Sequence, residues 1–178
     1  MEREEHAIIL DYLPYGYPLE NKRMPLAQAI GSTGFTLLEL IPRKGMSLEL
    51  KEKVYIGSGK RDKIYYILGK LPGEKLTETA KANLNDFIAQ AVAENEKGFV
   101  EFFNKAEAIN TRLHQIELLP GFGKKHMTEI LKAREVKPFE SFSDIRERIP
   151  SVPNPTKAIE KRMLSELTEN ERHKLFVK

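Results

Sequence analysis

The apolar positions change their period once along the chain. Up to about residue 70 they fall in short runs bounded by turn residues, the pattern of strands. Such runs occupy 7–12, 24–30, 35–41, 51–56 and 63–68. Residues 31–34, Gly-Ser-Thr-Gly, predict a hairpin-type turn between the second and third runs. The Gly- and charge-rich loop 57–62 separates the last two. Pro25 predicts that the second strand begins late or lies at an edge. Five short strands in this length are the material of a small, partly open barrel.

Beyond Pro72 and Gly73 the period becomes helical. Leu76, Ala80, Leu84, Phe87, Ile88 and Ala91 recur at helix spacing, with Thr77 placed as N-cap. Phe99, Val100, Phe102, Phe103 and Ala106 predict a second helix. Asn110 is placed to cap a third, carrying Leu113, Ile116 and Leu119. A fourth covers 124–134 and ends before Pro138. Ser143 is placed to cap a short helix reaching Ile149. Asn154 as cap with Pro155 at the first helical position opens the last. Strands followed by helices predict an α+β protein. The expected parts are a small β-barrel over 1–71, a helical connector over 72–110 and an all-α domain over 111–178.

Composition narrows the chemistry. The 178 residues are 40% hydrophobic, enough for a core. With no cysteine, disulfides, thiolate metal sites and cysteine catalysis are excluded. No apolar run approaches the length of a membrane span, and the acidic start has no signal-peptide core. The expectation is a soluble, cytoplasmic protein without a membrane partner. Charge is uneven: net +2 over 1–70, −3 over 71–110 and +4 over 111–178, for a total of +3. Two basic ends permit a polyanionic partner.

The strongest local signal is 118–125, Leu-Leu-Pro-Gly-Phe-Gly-Lys-Lys, between two helical stretches. Gly121 and Gly123 allow a sharp turn and the close approach of another backbone. Phe122 between them points back to pin the turn to its core. The turn runs into a helix N-terminus, where amides are unpaired and the dipole is positive. Lys124, Lys125, Lys132 and Arg134 follow, and residues 120–137 carry net +3. The expected phosphate-gripping set is therefore Gly121, Phe122, Gly123, Lys124, Lys125, Lys132 and Arg134.

From 111 to about 149 this stretch resembles the helix-hairpin-helix family of nucleic-acid-binding motifs. The resemblance rests on Leu119-Pro-Gly-Phe-Gly123, then Ile130, Leu131 and Arg134, then Phe139, Phe142, Asp144 and Ile145. It implies a tandem arrangement, the second turn being Ile149-Pro-Ser-Val-Pro153. There Ser151 and Pro153 replace the glycines, and proline has no N–H to donate. That turn is expected to be structural. Met127 stands where the family usually has a small residue. The whole chain resembles the archaeal domain-of-unknown-function family 655. That family is described as predicted nucleic-acid-binding proteins with an N-terminal OB-like barrel and C-terminal tandem helix-hairpin-helix. The resemblance implies contact with RNA or DNA largely independent of sequence, with RNA slightly favoured. The stretch 42–50 is too short for the helix an OB barrel usually carries between its third and fourth strands.

A second candidate surface comes from the strands beside the 57–62 loop: Lys53, Tyr55, Lys60, Arg61, Lys63 and Tyr65. Cations interleaved with tyrosines suit single-strand binding, while a solvated strand face is the plainer reading. Gly57-Ser-Gly-Lys60 is not a P-loop: Val54 occupies a required glycine position and Arg61 a required Ser/Thr position. His6, His114, His126 and His173 have no ligand spacing, so no metal or other cofactor is expected. His126 reads as a surface histidine. No acid–base or nucleophile constellation emerges, so the expectation is a non-catalytic binder. Its alternatives are an adaptor in a translation, ribosome-assembly or transcription complex, which uses the hairpins on protein, and an enzyme whose site is assembled across the chain.

Overall fold

The computed structural model describes residues 3–21 and 23–178, and the chain is α+β. It divides into two compact units, one of 1–86 with 166–178 and one of 87–165. The division falls inside a helix, past the change of period at 71, and the C-terminal tail rejoins the first unit.

The first unit is built on β1 (His6–Leu13), β2 (Leu26–Gly31), β3 (Leu37–Pro42), β4 (Lys53–Tyr55) and β5 (Ile64–Lys70). β2 starts directly after Pro25, as proline's missing N–H requires. The strand order is β4-β1-β2-β3-β5, with every pairing antiparallel, in a curled half-barrel. One face buries Ala7, Ile9, Ala29, Leu40, Val54 and Ile64. No helix separates β3 from β4 among the described residues; Leu48 of that loop plugs this core instead. An ion pair between Glu52 and Lys63 ties the approach to β4 to the approach to β5. The pair holds the Glu52 carboxyl below its usual range.

The other face carries a row of polar side chains from three paired strands: Asp11, Gln28 and Glu39. α1 (Glu78–Glu94) seats its first half there. Thr77, its N-cap, accepts from Ala80 N–H (3.0 Å) and donates to Asp11 (2.5 Å). The Gln28 amide oxygen accepts from Thr77 N–H (3.1 Å), and its NH2 donates to Lys75 C=O (2.8 Å). The Tyr17 hydroxyl donates to Glu39 (2.7 Å), and burial pushes its phenol far above its ordinary value. This buried polar row is satisfied throughout, which makes it a fastening for α1.

The second unit contains the rest of α1, then α2 (Glu96–Lys105), a 3-10 turn (Gln115–Leu118), α3 (Lys124–Val136), α4 (Phe142–Arg148) and most of α5 (Pro155–Thr168). The helix expected from Asn110 is only that 3-10 turn. Asn110 instead closes a tight turn on the N–H groups of Arg112 and Leu113, and His114 caps the 3-10 turn. α4 is capped by Ser141, not Ser143, through Asp144 N–H (2.9 Å). Asn154 and Pro155 open α5 as expected. Two arginines hold helix C-termini, where carbonyls lack partners and the dipole is negative. Arg134 donates to the carbonyls of Phe103 (3.1 Å) and Ala106 (2.8 Å) at the end of α2. Arg148 does the same for Ala133 and Lys137 at the end of α3, over the Phe139 ring.

Candidate nucleic-acid interface

The turn between the 3-10 segment and α3 has the shape its residues dictate. Phe122 is buried, with its ring 6.0 Å from that of Phe103. Its N–H donates to Leu119 C=O (3.0 Å), closing the turn. Gly121 sits at φ +85°, where a side chain is strained. A Cβ there would also meet Pro153 of the second turn at 3.1 Å. Gly123 takes no part in the left-handed turn: it is the extended N-cap of α3, at φ −111° and ψ −171°. A Cβ at Gly123 would meet nothing within 4 Å, so its smallness leaves open space outside the protein.

The amides are not all available. Phe122 N–H is spent on Leu119, and Gly123 N–H donates to His126 Nδ1 (3.1 Å). Among the described residues, the N–H groups of Gly121, Lys124, Lys125 and His126 have no protein acceptor. These four, rather than those of Phe122 and Gly123, are the donors open to an anion.

His126 is a connector and not a surface histidine. With Nδ1 accepting, the ring proton is on Nε2, which donates to Ser151 C=O (3.1 Å). Ser151 Oγ donates to Glu129 (2.8 Å). The second turn closes as the first does, Val152 N–H donating to Ile149 C=O (3.2 Å). Its polar groups are thus directed at the first turn.

The expected cations separate into three kinds. Lys124 lies against Glu117 (3.1 Å) and Arg112 C=O (2.8 Å). The Glu117 carboxyl is held below its usual range, chiefly by His114 N–H and then by Lys124. Lys125 and Lys132 are exposed on α3 and make no ion pair among the described residues. Their spacing of seven places them on one stripe of the helix. Arg134 is committed to the end of α2. Arg112, missed in the sequence, is exposed, and its backbone carbonyl holds Lys124. No motif marks it; only the fold brings it beside the turn.

The residues of the second candidate surface fall into different roles. β4 with Lys53 and Tyr55 and β5 with Tyr65 lie at opposite ends of the strand order. Lys63 is paired with Glu52. Arg61 donates to Gly57 C=O (2.8 Å), and the Tyr55 hydroxyl accepts from Gly59 N–H (2.9 Å), so both brace the loop. Lys53, Lys60 and Tyr65 remain exposed. Among the described residues no cluster of His, Asp and Glu is arranged to hold a metal ion, and no helix is long and apolar enough to cross a membrane.

Comparison with known proteins places the chain in a family. An uncharacterized protein of Methanocaldococcus jannaschii, MJ0038, is 47% identical over 177 residues, covering 98% of this chain and 80% of that protein. The crystal structure of Af1531 from Archaeoglobus fulgidus matches with a TM-score of 0.84 and 43% identity, covering 98% of this chain and all of that one. A family model described as protein of unknown function (DUF655) matches residues 3–178. The chain belongs to the DUF655 family.

Proposed function

We propose that this protein binds nucleic acid without catalysis, gripping the phosphate backbone at the 120–125 turn largely independently of sequence. One observation carries the reading. A turn with open space at Gly123 leads into α3, with four unpaired amides, exposed Lys125 and Arg112 beside it and exposed Lys132 two turns along the helix. A phosphate approaching there meets amide donors, a helix dipole and mobile cations. A protein ligand would not need all three. We read the two turns with their helices as a tandem helix-hairpin-helix, the second bracing the first. We read the half-barrel as an OB-like sheet left open between β4 and β5. The shape of such sheets suits single strands, which favours RNA slightly over DNA.

Fluorescence anisotropy against single- and double-stranded RNA and DNA across a salt series tests the proposal. Affinity should fall steeply with salt. Gly123→Leu should abolish binding while the protein stays folded, because its side chain enters open space. Absence of binding to all four polymers at low salt defeats the proposal and favours the adaptor role.

A further inference from the structure

A cleft of about 580 Å³ lies within the first unit, where the end of β3 and the loop after it meet Tyr12 and Tyr65. That volume suits a small ligand. The wall is aromatic and thioether-rich, with Tyr12, Tyr65, Met24 and Met46. Exposed Arg43 and Lys44 also line it, and no Asp or Glu is among the lining residues. Tyr65 is 63% exposed, Met24 46% and Met46 40%. These three exposed side chains line one concavity, and a gathered apolar patch, unlike a single exposed residue, marks a binding surface.

The loop is held in place. Met46 N–H donates to Arg43 C=O (3.0 Å), and Arg43 N–H to Lys63 C=O (2.8 Å). Arg43 Nε donates to Arg61 C=O (2.6 Å), which leaves the outer guanidinium nitrogens uncommitted among the described residues. The Tyr12 hydroxyl reaches Met46 C=O (3.4 Å). The cleft is therefore a shaped surface with flat and polarisable walls, two exposed cations and no lining acid.

We infer that this cleft takes an unpaired nucleobase, with Arg43 and Lys44 on the adjoining phosphate. A base offers a flat face to Tyr65 and soft contacts to the methionines. Its phosphate meets two cations and no repelling carboxylate. A duplex cannot enter, because its bases are stacked and paired. The inference rests on the nucleic-acid reading above and deepens it: the substrate class becomes a single-stranded segment or a strand end. Of the second surface expected from the sequence, Tyr65 alone lines this cleft.

The five methionines provide the test. The full chain, labelled with 13C at the methionine methyls, is titrated with adenosine 5′-monophosphate and with a hexa-adenylate RNA. Met24→Leu, Met46→Leu and Met127→Leu assign the signals. Met127, half-buried on α3, reports on the turn, and buried Met163 on the core. The expected result is ring-current movement of the Met24 and Met46 signals with both probes. Tyr65→Ala with Lys44→Ala should reduce hexa-adenylate affinity by about 5- to 150-fold, the range for one stacked base, and leave binding of a 12-base-pair duplex unchanged. Movement of Met127 alone overturns the inference and leaves the turn as a phosphate site. Still Met24 and Met46 signals at millimolar mononucleotide also overturn it, whatever the duplex does.

Discussion

His126 donates from Nε2 to Ser151 C=O and accepts at Nδ1 from Gly123 N–H, so one ring joins the two turns. The ring also meets Phe122 edge-on at 5.7 Å. His126→Ala removes both bonds and leaves the Gly123 amide without its cap. The expected cost is about 1–2 kcal/mol, read by urea unfolding, with weaker binding of nucleic acid in parallel. Unchanged stability and unchanged affinity would show that the ring is not the connector.

Lys124 and Lys125 are adjacent but not equivalent. The Lys124 ammonium already faces Glu117 and a backbone carbonyl, and Lys125 has neither. Lys125→Ala should therefore weaken binding more than Lys124→Ala. It should lower the salt slope by about one unit. Anisotropy over a salt series checks the order, and the reverse order would place the phosphate on the Glu117 side of the turn.

His114 is buried, and its Nδ1 accepts from Ile116 N–H (3.1 Å), which requires the neutral ring. Burial pushes its pKa down from the ordinary value of 6.5, and the Arg134 charge adds to this. Protons therefore bind the unfolded state more readily than the folded one. The stabilisation from neutral His114 is present above pH 6.5 and is lost as pH falls below it. The slope is at most about 1.4 kcal/mol per pH unit for one proton. His114→Asn puts an amide oxygen in place of the Nδ1 acceptor and removes the titrating group, so the change in stability between pH 7.5 and 5.5 should become flatter.

Much of this architecture was legible because it is local. Thr77, Asn154 and Pro155 mark helix starts by chemistry confined to four residues. Pro25 fixes the start of β2 for the same reason. The misreadings arose where a partner lies far along the chain or two candidates compete. Ser141 and Ser143 are both good caps, and Asp144 N–H decides for the first. Histidine is a rare cap, so nothing local marks His114 as the start of the single 3-10 turn that forms where the apolar spacing predicts a full helix. The cleft beside Tyr65 draws on segments from Tyr12 to Tyr65 and has no pattern in one dimension.

Arg134 was expected to meet phosphate, and its position in the basic stretch suggested nothing else. The fold turns it inward to the carbonyls of Phe103 and Ala106. Arg134→Gln should therefore cost about 1–3 kcal/mol of stability, the usual toll when charge-assisted bonds are lost. Affinity of the folded fraction should be unchanged, with the same salt slope. A reduced slope would restore Arg134 to the interface.

Glu166, at the end of α5, is almost fully buried, with its carboxylate facing three successive amides of the tail. Leu175, Phe176 and Val177 N–H all donate to it at 3.0–3.1 Å, and Lys174 Nζ reaches its backbone carbonyl. Lys178 N–H then donates to Gly34 C=O (3.0 Å), tying the tail to the β2–β3 turn. A carboxylate accepting several amides fixes the backbone of the Leu175-Phe176-Val177 segment. Glu166→Gln replaces one acceptor oxygen by a donor that faces amide donors. The tail should detach, with amide exchange at 175–177 rising at least tenfold while exchange in β1 and β2 stays slow. Equal protection of the tail in the variant would mean that buried Val177 anchors it without the carboxylate.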